Sequence, residues 1–279
     1  MGFETTRTLI AAIGFFLLPA ATAQSNPAAD PLVIGQTFVM HSTVLDEDRR
    51  INVYRPATAN LDEPSPLPVL YMPDGGMTED FLHIAGLLQV SVGNGTMRPF
   101  LLVGIENTER RRDLTPLTSS DEDRKIAPRV GGAEAFRSFL RDELMPQISQ
   151  RYAVTDERAI VGESAAGLFI VDTWMQEPAL FQHYLAFDPS LWWDDARLPR
   201  EAAGDRDWNG QDGRTLFIAS SSEPSIDKPV REFVAALRQS AIKGLELEYT
   251  SMPQETHSSI YHPAALLAFR RVLRPSDKD

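Results

Sequence analysis

Ala159-Ile160-Val161-Gly162-Glu163-Ser164-Ala165-Ala166-Gly167-Leu168-Phe169 decides how the rest of this chain is read. A β-branched, apolar run ends in Gly-Glu-Ser, and small residues lead at once into a helix-like segment, Leu168 to Gln176. That order predicts a strand, a tight turn and a helix, with Ser164 at the tip as a candidate nucleophile. Such a turn strains the serine backbone, so its neighbours must be small, as Gly162, Ala166 and Gly167 are. The helix N-terminus behind Ser164 adds free N–H groups and a positive dipole end, where an oxyanion can be stabilised. A Gly-x-Ser-x-small pentapeptide also arises by chance as an ordinary surface turn, so its context has to decide.

The chain begins with Arg7 ahead of an apolar run, Leu9 to Leu18, then Pro19 and the small residues Ala20 to Ala23. The run is short for a bilayer span, and Ala21-Thr22-Ala23 is an A-x-A cleavage signal. Residues 1–23 are therefore expected to be a secretory signal peptide, followed by a loose segment at 24–35 and one domain over 36–275. The expected location is periplasmic or secreted, in a bacterium, with no stable membrane insertion after cleavage. The 279 residues contain no Cys, which excludes disulfides, thiol catalysis and cysteine metal sites. A net charge of −12 argues against a nucleic-acid partner and serves solubility.

Gln36 to Leu45 and Arg49 to Arg55 alternate in polarity around Asp46-Glu47-Asp48, which predicts a β-hairpin. Thr58 to Pro68 reads as a Pro- and acid-rich surface loop. Val69–Met72 and Leu101–Ile105 are short continuous apolar runs, suited to central strands covered on both faces. Ala135, Phe136, Phe139, Leu140, Leu144 and Ile148 keep a helical period, which Pro146 must kink or divide. Further strands are expected at Tyr184–Phe187, Leu216–Ser220 and Leu245–Thr250, and helices at Val230–Ala241 and Ala264–Leu273. Alternating strands and helices predict an α/β fold: a mainly parallel central sheet, helices on both faces and an antiparallel N-terminal hairpin.

A serine hydroxyl needs a base within hydrogen-bond reach. His257, in the loop between the last strand and the last helix, is expected at the same sheet edge as Ser164. His262, at the helix start, fits a capping or packing role, and His41 and His183 fit structural ones. For the orienting acid, Glu223 is favoured because it follows the strand Leu216–Ser220, with Asp227, Asp188 and Glu255 as alternatives. Ala165 is expected to offer one oxyanion N–H, and the Asp74-Gly75-Gly76 turn another, through Gly75 or, preferably, Gly76.

Five segments together resemble the bacterial putative-esterase family of α/β-hydrolases. They are Val69–Gly75, Val103–Ile105 with Arg110–Pro116, Gly131–Ala133, the Ser164 turn and Asp188–Asp194. The resemblance runs from about residue 36 to 273 and is nearest to the siderophore-esterase branch of a family that also holds feruloyl esterases and S-formylglutathione hydrolases. It implies a serine hydrolase acting on a small-molecule carboxylic ester, with siderophore-type and plant-wall-type esters as candidate substrates. It carries over as Ser164 nucleophile, His257 base, Glu223 acid and Ala165 in the oxyanion hole. No metal or organic cofactor is required. Two positions depart from the family: Glu163 stands where His is usual, and Ala166 where Gly is usual. Some siderophore esterases are thought to work with a Ser–His pair, which would make Glu223 dispensable.

Arg110, Arg111, Arg112 and Arg129 could bind an anionic substrate such as a catecholate, or Arg110–Arg112 could pair with the acidic residues 121–123. Trp192 and Trp193 could floor an aromatic or sugar site, or pack on the sheet. An acyltransferase with the same triad and a non-catalytic binding homologue remain the alternatives. The natural ester and the oligomeric state are not legible in the sequence.

Overall fold

Eight strands form one sheet in the computed structural model, which describes residues 1–2, 29–57 and 65–275. The expected signal peptide therefore lies, but for its first two residues, outside the described residues, as does most of the expected loop at 58–68. The fold below is that of the unit beginning at Ile34. Its strands are β1 (Gln36–Ser42), β2 (Glu47–Tyr54), β3 (Leu67–Pro73), β4 (Leu101–Ile105), β5 (Val154–Glu163), β6 (His183–Phe187), β7 (Arg214–Ser220) and β8 (Leu245–Ser251). Their order across the sheet is β1-β2-β4-β3-β5-β6-β7-β8. β1 and β2 pair antiparallel, β2 runs antiparallel to β4, and every other neighbouring pair is parallel. This is the mainly parallel α/β sheet that the alternation of elements predicts and the α/β-hydrolase fold that the family resemblance implies.

The helices are α1 (Phe81–Gly93), α2 (Arg110–Leu114), α3 (Asp121–Arg124), α4 (Ala133–Phe139), α5 (Met145–Arg151), α6 (Ala165–Gln176), α7 (Trp193–Ala203), α8 (Pro224–Ser240) and α9 (Tyr261–Val272). Strand side chains alternate between two cores, because successive residues point to opposite faces. Val69 and Tyr71 of β3 join Phe136, Phe169, Trp174 and Val234 from α4, α6 and α8. Leu70 and Met72 join Ile84, Leu88, Ala268 and Phe269 from α1 and α9. Both faces being covered is why β3 and β4 read as unbroken apolar runs.

Pro146 does not divide its helix: the backbone stays helical from α4 through a π-helical turn at Leu140–Leu144 into α5. The wider turn lies directly ahead of the proline, whose ring and missing N–H a regular α-turn does not accommodate. Four helices, α1, the short α2 and α3, and α7, are not among those the sequence predicts. In α1, Leu82 and Val90 are exposed beside a buried stripe, so apolar residues are not confined to one face. In α7, Asp194, Asp195 and Ala196 are left-handed and Pro199 lies inside the helix.

The register lines up the ends of three strands. Glu163 pairs with Phe187, and Phe187 with Ala219, so the residues just after β5, β6 and β7 share one edge. The loop after β8 is tied to that edge by Met252 N–H donating to Ser220 O (2.7 Å) and Ser222 N–H to Glu255 O (2.9 Å).

Candidate active site

Ser164 has φ 62° and ψ −117°, between the last residue of β5 and the first of α6. A non-glycine residue there is strained by roughly 1–3 kcal/mol. The surroundings hold it: Ser164 N–H donates to Phe187 O (3.0 Å), and Leu168 N–H donates to Ser164 O (2.9 Å). A Cβ on Gly162 would lie 2.6 Å from Ala166 Cβ, so the methyl at 166 is tolerated because 162 has none. A Cβ on Gly167 would meet Pro189 Cα at 3.0 Å and Phe187 O at 3.1 Å. The glycine at 167 thus brings α6 close against the segment that carries Asp188.

His257 Nε2 lies 3.0 Å from Ser164 Oγ, and Nδ1 lies 3.0 Å from Asp188 Oδ2. With Nδ1 protonated toward the carboxylate, Nε2 presents its lone pair to the serine hydroxyl. Asp188 is fully buried, has φ 41°, and accepts from Ser221 N–H (2.5 Å) and Ser221 Oγ (2.6 Å). The sequence preference for Glu223 is corrected by this geometry. Glu223 immediately precedes α8, is exposed, and accepts from Ser225 Oγ (3.0 Å), while only its charge reaches His257. Asp227 is bonded to Ser220 Oγ (2.8 Å) and paired with Arg231 (2.8 Å), and Glu255 accepts from Ser259 Oγ (2.6 Å). Asp188 was legible only as the acid ending the strand next to the serine strand.

Glu163 brings a second carboxyl to the imidazole, with Oε1 3.2 Å from His257 Nδ1. That oxygen is buried and makes no hydrogen bond. Burial pushes the Glu163 carboxyl up to about 7, against the lowering effect of His257 and Arg110. His257 is raised, first by its bond to Asp188 and then by the charges of Glu163, Asp188 and Glu223. Among the described residues, Glu163, Asp188 and His257 are the His, Asp and Glu set whose potential ligand atoms lie within 4.8 Å of one another.

The two expected oxyanion donors differ in their surroundings. Ala165 begins α6, and its N–H, in the first turn, has no helical acceptor. Gly76 N–H is already committed to Glu79 Oε2 (2.7 Å), and Gly75 N–H to Ile105 O (2.9 Å). Gly75 must be glycine for another reason, since a Cβ there would stand 2.3 Å from Gly104 Cα on β4.

Arg110 pairs bidentately with buried Asp74 (both contacts 2.7 Å). Arg112 bonds Glu47 and Asp113, and Arg129 pairs with Glu109. Asp121 and Glu122 instead pair with Arg124 and Lys125, so the expected bridge from Arg110–Arg112 to residues 121–123 is absent. Arg111 is half-buried and, among the described residues, its guanidinium has no hydrogen bond or ion pair. Burial and the Arg110 charge lower its proton affinity. Trp193 is buried with its indole N–H on Pro116 O (3.0 Å), which removes it from any substrate surface, whereas Trp192 is half-buried beside it. A separate groove of about 750 Å³ runs along α4, α6 and α7, lined by Thr118, Arg137, Asp172 and Arg197, and includes none of Ser164, His257 or Asp188.

Sheet order, strained serine turn and Ser–His–Asp chain define an α/β-hydrolase. The family described as Putative esterase matches residues 42–232. The chain belongs to that family and is a carboxylic-ester hydrolase. It is 25% identical over 274 residues to the ferri-bacillibactin esterase BesA of Bacillus subtilis, covering 88% of this chain and 93% of that one. It is 29% identical over 161 residues to the apo-salmochelin esterase of Escherichia coli, covering 53% of this chain and 49% of that one. Among solved structures, an IroE-like serine hydrolase from Shewanella oneidensis superposes with a TM-score of 0.74 at 27% identity, covering 86% of this chain and 80% of that one.

Proposed function

We propose that this chain is an exported serine esterase that cleaves siderophore-type esters through an acyl-serine intermediate. The observation that carries the reading is the unbroken chain from Asp188 through His257 to Ser164, with both links at 3.0 Å. Ser164 Oγ attacks the ester carbonyl while its proton moves to His257 Nε2. The tetrahedral oxyanion forms beside the Ala165 N–H, and the leaving alcohol takes the proton from Nε2 as the C–O bond breaks. Water then repeats the sequence on the acyl-enzyme, releasing the acid and restoring Ser164. Asp188, held by Ser221, keeps the Nδ1–H tautomer and stabilises the imidazolium.

The substrate class is supported by the relatives, whose names describe bacillibactin and salmochelin esterases. Within this chain, the Arg111 guanidinium, which has no ion pair among the described residues, and half-buried Trp192 suit an anionic, aromatic acyl group. Export rests on the leader-like residues 1–23.

The test is hydrolysis of a short p-nitrophenyl ester and of a catecholate trilactone by residues 24–279, beside Ser164→Ala. Loss of at least about 10³-fold in kcat, with the variant folded, is expected. Equal rates for the two proteins, or transfer of the acyl group to a competing alcohol in place of free acid, would overturn the reading.

A further inference from the structure

We propose that Glu163 is a second carboxyl partner of His257, a positioning residue that shares the imidazole Nδ1–H with Asp188 and sets the pH at which His257 can accept the Ser164 proton. The proposal rests on the serine-esterase reading above and extends it to a residue outside the Ser–His–Asp chain.

Three observations lead to it. Glu163 Oε1 is 3.2 Å from His257 Nδ1, only slightly farther than Asp188 Oδ2 at 3.0 Å. The same oxygen is shielded from solvent and, among the described residues, has no other hydrogen-bond partner. Its backbone ends β5 in register with Phe187, which places it beside Asp188 by the same strand pairing that builds the site.

Every element packed around this carboxyl bears on its charge. Arg110 from α2 favours the ionised form, while Asp74 after β3 and Asp188 after β6 oppose it. The hydroxyl of Tyr261 on α9 has no hydrogen-bond partner among the described residues, and burial first, then the charges of Asp80, Asp74 and Glu163, oppose its ionisation. Glu223 acts on His257 from just ahead of α8. Arg110 is itself held by Asp74, so it only partly compensates Glu163.

An ionised Glu163 stabilises the imidazolium, and burial favours the neutral acid. The two groups therefore titrate as a pair: a proton on one favours its absence from the other. His257 is a competent base only when Nε2 is unprotonated, so a nearby negative charge moves the onset of activity to higher pH. Replacing Glu163 by the isosteric amide removes that charge and must move the onset to lower pH.

The experiment compares wild type, Glu163→Gln, Glu163→Ala and Glu163→Asp, each folded by circular dichroism. Two rates are followed against pH: fluorophosphonate labelling of Ser164 and p-nitrophenyl ester kcat/KM. In Glu163→Gln and Glu163→Ala the acidic-limb midpoint is expected to fall by roughly half a unit to one unit. Glu163→Asp, which keeps the charge, is expected to stay nearer wild type. A carboxyl with a purely space-filling role would change rates without moving the midpoint. Midpoints for Gln and Ala within about 0.2 unit of wild type would overturn the proposal. The same result with normal wild-type labelling would leave the serine-esterase reading intact. A folded wild type that neither labels nor hydrolyses would sink that reading and this proposal with it.

Discussion

Asp188 and Glu223 both put a negative charge near His257, but only Asp188 is hydrogen-bonded to it. Asp188→Asn should therefore cost on the order of 10³–10⁴ in kcat, because an amide can stabilise the wrong tautomer and cannot balance an imidazolium. Glu223→Gln should cost less than about 3-fold, since it removes only a screened charge at an exposed position. Single-turnover acylation of both variants measures this contrast, and equal losses would return Glu223 to the site. Ser164 and His257 were legible because each needs a local setting, a strained turn and a loop at the correct edge. The acid needs only a carboxylate that reaches Nδ1, and several loops at that edge carry one. What distinguishes Asp188 is burial and the Ser221 clamp, neither of which has a local sequence signature.

The serine turn depends on a contact between two elements. Gly162 on β5 and Ala166 on α6 meet where a second Cβ would be 2.6 Å from the first, with Ile170 Cδ1 at 3.2 Å. Gly162→Ala should destabilise the fold by about 1–3 kcal/mol through overpacking and displace Ser164. Adding Ala166→Gly should recover part of that loss, because the closest obstacle is the methyl removed. Urea midpoints of the single and double variants decide it, and no recovery would mean that the strain lies elsewhere. This pair also explains how a methyl fits where the family usually has glycine. By contrast, α1 was not legible, because a helix packed beside α9 with exposed Leu82 and Val90 shows no clean apolar stripe.

Across the molecule, Arg98 clips distant parts of the chain together. Its guanidinium binds Glu157 of β5 (2.7 and 2.9 Å), its backbone N–H donates to Leu273 O after α9 (2.8 Å), and His183 of β6 reaches the same carboxylate (3.1 Å). Burial opposes ionisation of Glu157, but the Arg98 and His183 bonds outweigh it and hold the carboxyl at about 2, below its ordinary 4.5. A carboxyl lowered on folding stabilises the native state above its unfolded value and loses that contribution as pH falls from about 4.5 toward about 2. Glu157→Gln should therefore lower stability near neutral pH by on the order of 1–2 kcal/mol, after discounting partial exposure, and flatten the fall in Tm toward about pH 3. Parallel Tm curves for variant and wild type would refute it. The sequence by itself determined the α/β alternation, the hairpin at one edge, the serine turn and the histidine loop, because each follows from local periodicity, turn chemistry or chain order. Only the tertiary structure decided that Asp188 meets His257, that Glu163 faces the same nitrogen, that Gly76 donates to Glu79 and that Arg111, among the described residues, has no ion pair. Those outcomes depend on strand register and on which side chains compete for one partner, quantities that exist only once the sheet is assembled.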